Sequence, residues 1–404
     1  MTTDLTIGER IAFYRRRRGI SQTVLADMIG RSADWLSKVE NGHISLDRLS
    51  VLRRIAQRLD VSLGDLVAEP SLMEWTRDSG QATVPPLRSV LMDYRDLTRL
   101  GEQHAVSPEI DADALRAQVQ ELWGAYQDSR FGYVAHRLVS IIPSGKALAQ
   151  ACSDADRPLV QGRLALAYQV AATMLTKLGE SDLAWTAANH GIHAAHASEN
   201  PVIVGSVFRG LTHTLMATGA YAEAVQLTHT AVDFLEEHLA KPTRTIESVY
   251  GAQLLAGSMA AARNDDRETT RDLLSAAERA AARLGHDDNR LWTAFGPTNV
   301  TIHRVSTAME LGDVQVALDL GPALDTSALP TERRVRHALE VSRALSNARR
   351  RDEAVSVVLD AEQRAPEQVR YHFLSRQLVQ TWIRTSRDKP TLELTGLAER
   401  LHVA

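Results

Sequence analysis

Apolar positions along the 404-residue chain recur at helical spacing, with scarcely any of the strict alternation that marks a half-buried strand, so the pattern predicts an all-α fold. Near the amino terminus Leu25, Ala26 and Ile29 share one face of a helix over 22–29, with Ser21 as its N-cap and Gly30 as its stop. Ser32 caps a second short helix through Glu40, which turns Leu36 and Val39 inward and ends at Asn41-Gly42. Two short helices joined by a glycine turn make a helix-turn-helix. Upstream, Arg15 to Arg18 followed by Gly19 read as the cationic end of a first helix, although taken alone the cluster is equally a solvated charged face.

Residues 70–112 hold Pro70, Gly80, Pro85-Pro86, Gly101 and Pro108 between polar stretches, which predicts a linker with a short helix over 87–100. The chain therefore divides into a head, residues 1–69, this linker, and a helical region over 113–404. In the last part a local pattern recurs: a small residue, a larger apolar one, a glycine or polar turn, then a small residue five positions on. It is strong at Ala184, Ala224, Ala317 and Ala354 and weaker around Ala135 and Thr269. Such a unit cannot bury its apolar face alone, so the units must stack into a solenoid with a long concave groove. The segment after Pro366 is expected to cap the stack.

Charge sharpens the division. The chain carries 46 Lys+Arg and 50 Asp+Glu, a formal charge of −4, yet its first 69 residues hold 11 basic and 9 acidic side chains. Only five of the 46 basic residues are lysine, a bias that with abundant alanine suggests a GC-rich bacterial genome and says nothing of chemistry. Cys152 is the single cysteine, which excludes intramolecular disulfides and all-cysteine metal sites. No run of about 18 apolar residues could span a bilayer, and MTTDLTIGER lacks an apolar signal core, so a cytoplasmic protein is expected.

The string SQTVLADMIGRSADWLSKVENG, residues 21–42, resembles the DNA-binding domain of the phage lambda repressor, or Xre, family. The resemblance covers about 65 residues and implies a five-helix head, with a fourth helix from about Leu46 to Leu59 and a fifth over VSLGDLV. In such folds the second helix of the pair enters the major groove. The outward stripe left by Leu36 and Val39 nominates Ser32, Ala33, Asp34, Ser37 and Lys38 as base readers, with Asn41 at the helix end. Lys38 can donate to guanine, Asp34 can accept from cytosine and Ala33 can meet a thymine methyl; Asp34 is equally a first-turn carboxylate that suits the helix dipole. Gln22 falls where the family places a phosphate contact, and Arg16 to Arg18 and Arg31 are further phosphate candidates. The family position of Glu40 implies an internal ion pair with Arg15. Trp35 reads as a packing residue at the edge of the core.

The repeats resemble tetratricopeptide repeats, whose groove is lined by the first helix of each pair, 11 and 15 residues before the aligned small residue. That rule nominates Gln169 and Thr173, Arg209 and His213, Leu254 and Ser258, Ile302 and Ser306, and Leu339 and Arg343, with Asn299 and Arg336 one turn upstream. Head and array together resemble the peptide-sensing regulators of Gram-positive quorum sensing. The resemblance implies a homodimer on a palindromic operator, heads about 34 Å apart or a multiple of that, and a short peptide as ligand. A docking scaffold for a protein partner and a small-molecule sensor are the alternatives.

No catalytic constellation emerges, and no cofactor or metal is expected. Ser144-Gly145-Lys146-Ala147 lacks the flanking residues of a phosphate loop. His190, His193 and His196 recur every third residue, which rotates them around a helix instead of aligning them as zinc ligands.

Overall fold

The structure, a computed structural model, describes residues 5–44, 46, 48–61, 65–66, 84–93, 110–239, 243–386 and 389–403. Twenty α-helices and one short 3-10 turn, Arg290–Trp292, account for the regular structure of these residues. The head contains α1 (Ile7–Arg17), α2 (Gln22–Met28), α3 (Ala33–Glu40) and α4 (Leu49–Leu59). Most of the expected fifth helix lies outside the described residues.

Local chemistry sets these boundaries. Thr6 and Glu9 form a reciprocal capping box on α1, Ser21 accepts from the Val24 N–H and Ser32 from the Trp35 N–H. Gly19, Gly30 and Gly42 follow the first three helices at φ near +70°, where a side chain would be strained. Helix α4 begins at Leu49 rather than about Leu46, because Arg48 is extended and the carbonyl of Leu46 accepts a bond from Gln377 in the repeat region. Ile11, Leu25, Leu36, Val39, Leu52, Ile55 and Leu66 close the head's own core.

Residues of the linker form α5 (Val84–Leu91), which starts before the two prolines because the first turn of a helix needs no proline N–H. Its Val84, Leu87 and Leu91 join the core of the first repeats. Six helix pairs follow: α6/α7 (Ala112–Gln127, Phe131–Ala151), α8/α9 (Arg157–Lys177, Ser181–Ala197), α10/α11 (Pro201–Ala217, Tyr221–Glu236), α12/α13 (Arg244–Arg263, Arg267–Leu284), α14/α15 (Pro297–Leu311, Val314–Leu320) and α16/α17 (Thr331–Asn347, Arg351–Arg364). Helices α18 (Pro366–Tyr371), α19 (Phe373–Thr385) and α20 (Leu392–Arg400) complete the chain.

Every pair turns through one residue with positive φ: Ser129, Gly179, Gly219, Asp265, Gly312 and Arg349. The residue after each donates its N–H back to the first helix, from Arg130 to Ala125 through Arg350 to Leu345, at 2.8–3.0 Å. Five positions beyond each turn lie Val134, Ala184, Ala224, Thr270, Ala317 and Ala354, all buried. The two weak units are therefore in register at Val134 and Thr270, one residue from the expected Ala135 and Thr269.

The stack does not end as an open groove. Ser129 of the first unit donates to the Gln368 side chain at 2.6 Å in a buried contact, and the Gly132 N–H donates to Glu367 at 3.1 Å. Tyr371 belongs to the core of the first repeats. From the loop before α14, Trp292 stacks on Trp123 at 5.1 Å, and Asn289 and Gln127 exchange amide hydrogen bonds. These contacts join α18 and the loop before α14 to the first unit, so the array closes around an interior instead of presenting the long concave face expected of it. Helices α19 and α20 cap it, as expected, by packing on α16 and α17.

Candidate functional site

The α3 ridge is built from α1 outward. Arg15 donates through Nε to Glu40 Oε1 at 2.6 Å and through Nη2 to Oε2 at 2.8 Å, with Nη1 on the Ile20 carbonyl, and the pair is buried. The hydrogen bond to Glu40 raises the Arg15 pKa despite burial. Gln22 donates to the same Glu40 at 2.8 Å, so its amide is engaged inside the head as well as placed at the start of α2. Gly8 lets α1 approach the end of α3: a Cβ there would stand 2.1 Å from the Val39 carbonyl oxygen. Together these contacts fix the angle at which α3 leaves the core.

Arg31, Ser32, Asp34, Lys38 and Asn41 are exposed, and Gln22, Ala33 and Ser37 half-buried. Asp34 and Lys38 hold each other at 2.7 Å on the solvent side. Asn41 bonds the Ser37 carbonyl at 2.8 Å, and Arg31 lies over the Trp35 ring at 5.4 Å. Trp35 packs at the edge of the head's core. Arg16, Arg17 and Arg18 are exposed, with Arg18 donating to the Arg58 carbonyl.

The inner face of the array lines a cavity of about 940 Å³ that is partly open to solvent. Of the nominated groove residues Thr173, Arg209, His213, Ile302, Ser306, Arg336 and Arg343 line it. Gln169 and Asn299 do not. Gln169 is 1% exposed and exchanges bonds with the Ser206 carbonyl and hydroxyl, tying α8 to α10. Asn299 is equally buried and donates to the Thr293 carbonyl at 3.4 Å. Leu254, Ser258 and Leu339 also lie in the core. The spacing rule selects a helix face but not how deeply each position on that face sits.

Sequence reasoning missed most of the cavity's charge. Lys177 meets Glu332 at 2.6 Å, Arg336 meets Glu340 at 3.3 Å, Arg343 meets Glu340 at 3.3 Å and Glu310 at 3.7 Å, and Arg263 meets Glu310 at 3.4 Å. Burial pushes the Glu332 carboxyl up, but Lys177 and Arg333 outweigh it and hold its pKa at about 2. Burial pushes the His213, His303 and His372 imidazoles down, His303 to about 3. The signal was present in α16, where Glu332, Arg336, Glu340 and Arg343 form one stripe, but a charged stripe ordinarily reads as a solvated face.

One wall of this cavity belongs to the head. Leu5 to Gly8, Arg10, Val39, Gly42, Ile44 and Leu46 all line it. The head is held there by Arg48 on the Glu310 carbonyl at 2.8 Å, Arg54 on Asp265 at 3.1 Å, Arg53 on Asn264 at 3.2 Å and over the Tyr221 ring at 5.0 Å, Gln377 on the Leu46 carbonyl at 2.7 Å, and Arg384 on Glu9 at 3.3 Å.

Fold and ridge define a helix-turn-helix head joined to an all-helical repeat array. Residues 6–69 match the model of a helix-turn-helix domain family. No curated protein matches the chain. Among solved structures, the crystal structure of Bacillus thuringiensis PlcR in complex with the peptide PapR7 and DNA is similar to it at 14% identity and a TM-score of 0.33, over 69% of this chain and 95% of that chain. No described helix is long and apolar enough to cross a membrane.

Proposed function

We propose that the chain is a DNA-binding transcription regulator whose head reads a duplex with α3 and whose interior cavity takes a short peptide effector. The observation that carries the reading is the shared wall: one cavity is lined by both the head and the repeats. An occupant there touches the element that bears the DNA-reading ridge, so its differential affinity for two head positions shifts their populations. That coupling is direct, and needs no change of superhelical pitch along the array.

The volume of about 940 Å³ is that of a ligand pocket, large enough for an extended chain and too small for a folded domain, which favours the peptide over a docked protein partner. A small molecule fits the volume too, but the many polar groups distributed along the walls suit an extended backbone. The exposed arginines at the end of α1, with Arg31 and Gln22, would position the phosphates, while Lys38, Asp34, Ser37, Ser32, Ala33 and Asn41 would face the bases. Lys38 must leave Asp34 to reach a base, so sequence reading is coupled to breaking one exposed ion pair. A homodimer would present two such ridges to a palindromic operator.

The test is to bind the full-length protein to sheared genomic DNA, sequence what is retained, and repeat with two variants. Lys38→Ala is expected to relax preference at one base position and to leave the others; Gln22→Ala is expected to weaken binding to every sequence alike. Retention of no motif by the parent protein, at any salt concentration, removes the reading.

A further inference from the structure

We propose that Arg209 on α10 and Arg333 on α16 form an anion-binding subsite in the cavity, built to receive a carboxylate of the bound effector. The inference rests on the reading that the cavity holds an effector, and adds its chemical class. Arg209 is 7% exposed, lines the cavity, and its Nε meets no hydrogen-bond partner among the described residues; nor does the Arg333 Nε. Arg333 reaches Glu332 only at 4.0 Å, and Lys177 already holds that carboxylate at 2.6 Å.

Two of the other three carboxylates on the wall are likewise engaged, and the third, Asp182, is exposed to solvent. Glu310 faces Arg263 and Arg343, and Glu340 faces Arg336 and Arg343. Cations on this surface therefore outnumber carboxylates, and Arg209 and Arg333 are the two among them whose buried Nε meets no partner. For Arg209, burial first and then the like charge of Arg333 lower the pKa, to about 10, against the opposite pull of Tyr126 and Glu332. A guanidinium taken out of water without a counter-ion is costly, and a carboxylate is its bidentate complement. His213, one helical turn from Arg209, is held neutral by the same burial and the same two cations, so it leaves the excess charge unchanged but offers a further donor.

Two probes test this on the full-length protein. The first is a pair of synthetic heptapeptide pools, otherwise random, one with a single glutamate and a free carboxyl terminus, the other with glutamine and a terminal amide. The parent protein is expected to retain the acidic pool about tenfold over the neutral one, and Arg209→Gln to lose that preference. Equal retention of both pools overturns the subsite and leaves the effector reading intact. The second probe is sodium succinate at constant ionic strength. If neither pool is retained but succinate raises the melting temperature of the parent and not of Arg209→Gln, the subsite stands and the peptide reading falls. If succinate also fails to separate them, both fall. Arg333→Gln repeats the comparison should Arg209→Gln misfold. Without ligand, Arg209→Met is expected to melt no lower than the parent; a lower value overturns the proposal by assigning the charge to the fold.

Discussion

The Arg15–Glu40 pair decides whether α3 is presented at all. Both side chains are buried, both Glu40 oxygens accept from Arg15, and Gln22 adds a third bond to the same carboxylate. Removing one partner leaves the other charge stranded in the core, so Glu40→Ala is expected to cost the head about 3–5 kcal/mol. Hydrogen exchange over α1 to α3 in the full chain would record the loss. Arg15→Met in the same background should restore much of it, since an apolar replacement removes the stranded charge. This pair was legible from residues 15–40 through the family pattern that Glu40 fits. Gly8 was not, because the requirement for it is a close approach to the Val39 carbonyl that only the assembled head creates. Gln169 and Asn299 lie off the cavity for a related reason: these amides sit one layer deeper on the nominated helix face, where each side chain donates to a backbone carbonyl.

At the scale of the helix pair, the six turns impose one backbone state on six different residues. Gly179, Gly219 and Gly312 meet it without strain, whereas Arg349 holds φ +63° with a side chain that is exposed at the turn. Arg349→Gly is therefore expected to stabilise the last unit by up to about 1 kcal/mol, the relief of left-handed strain offset by the entropy that glycine adds to the unfolded chain. Gly179→Ala, at φ +80°, should shift stability the other way by a similar amount. Thermal unfolding of the two variants beside the parent checks the opposite signs. The turns also explain what could be read in advance. The units turning on Gly, and the Arg349 unit with Ala354, were read in register, while those turning on Ser129 and Asp265, with Val134 and Thr270 in place of that alanine, were read one residue out. Boundaries inside the head were legible because Ser21, Ser32 and the three glycines act locally. Closure of the array was not, since it depends on Ser129 meeting Gln368 and Trp292 meeting Trp123 across the full stack.

The whole molecule has neutral imidazoles along its cavity and a head held on by mostly exposed contacts, and the two give different responses to solvent. His213, His303 and His372 titrate near 6.5 when unfolded and lower when folded, so the unfolded chain binds more protons below that value. Stability is then complete above about pH 6.5 and falls as pH drops toward 3, by up to ~1.4 kcal/mol per pH unit for each imidazole. Urea unfolding between pH 7.5 and 5 measures the slope, and a flat profile would mean that the imidazoles reach water. The head responds instead to salt. Arg54–Asp265 and Arg384–Glu9 join partly exposed side chains, each pair worth at most about 1 kcal/mol and screened by ions. The bond from Gln377 to the Leu46 carbonyl is buried at both residues and is not screened in this way. Raising the salt concentration should therefore loosen Arg54 and Arg384 while Gln377 still tethers the head. In Gln377→Ala the same rise should release it, with a larger radius of gyration in solution scattering and faster exchange in α4. If the variant keeps the parent's dimensions at high salt, the head is held by Arg48 on the Glu310 carbonyl and by its apolar contacts with the cavity wall, and an effector would have to displace those contacts to move it.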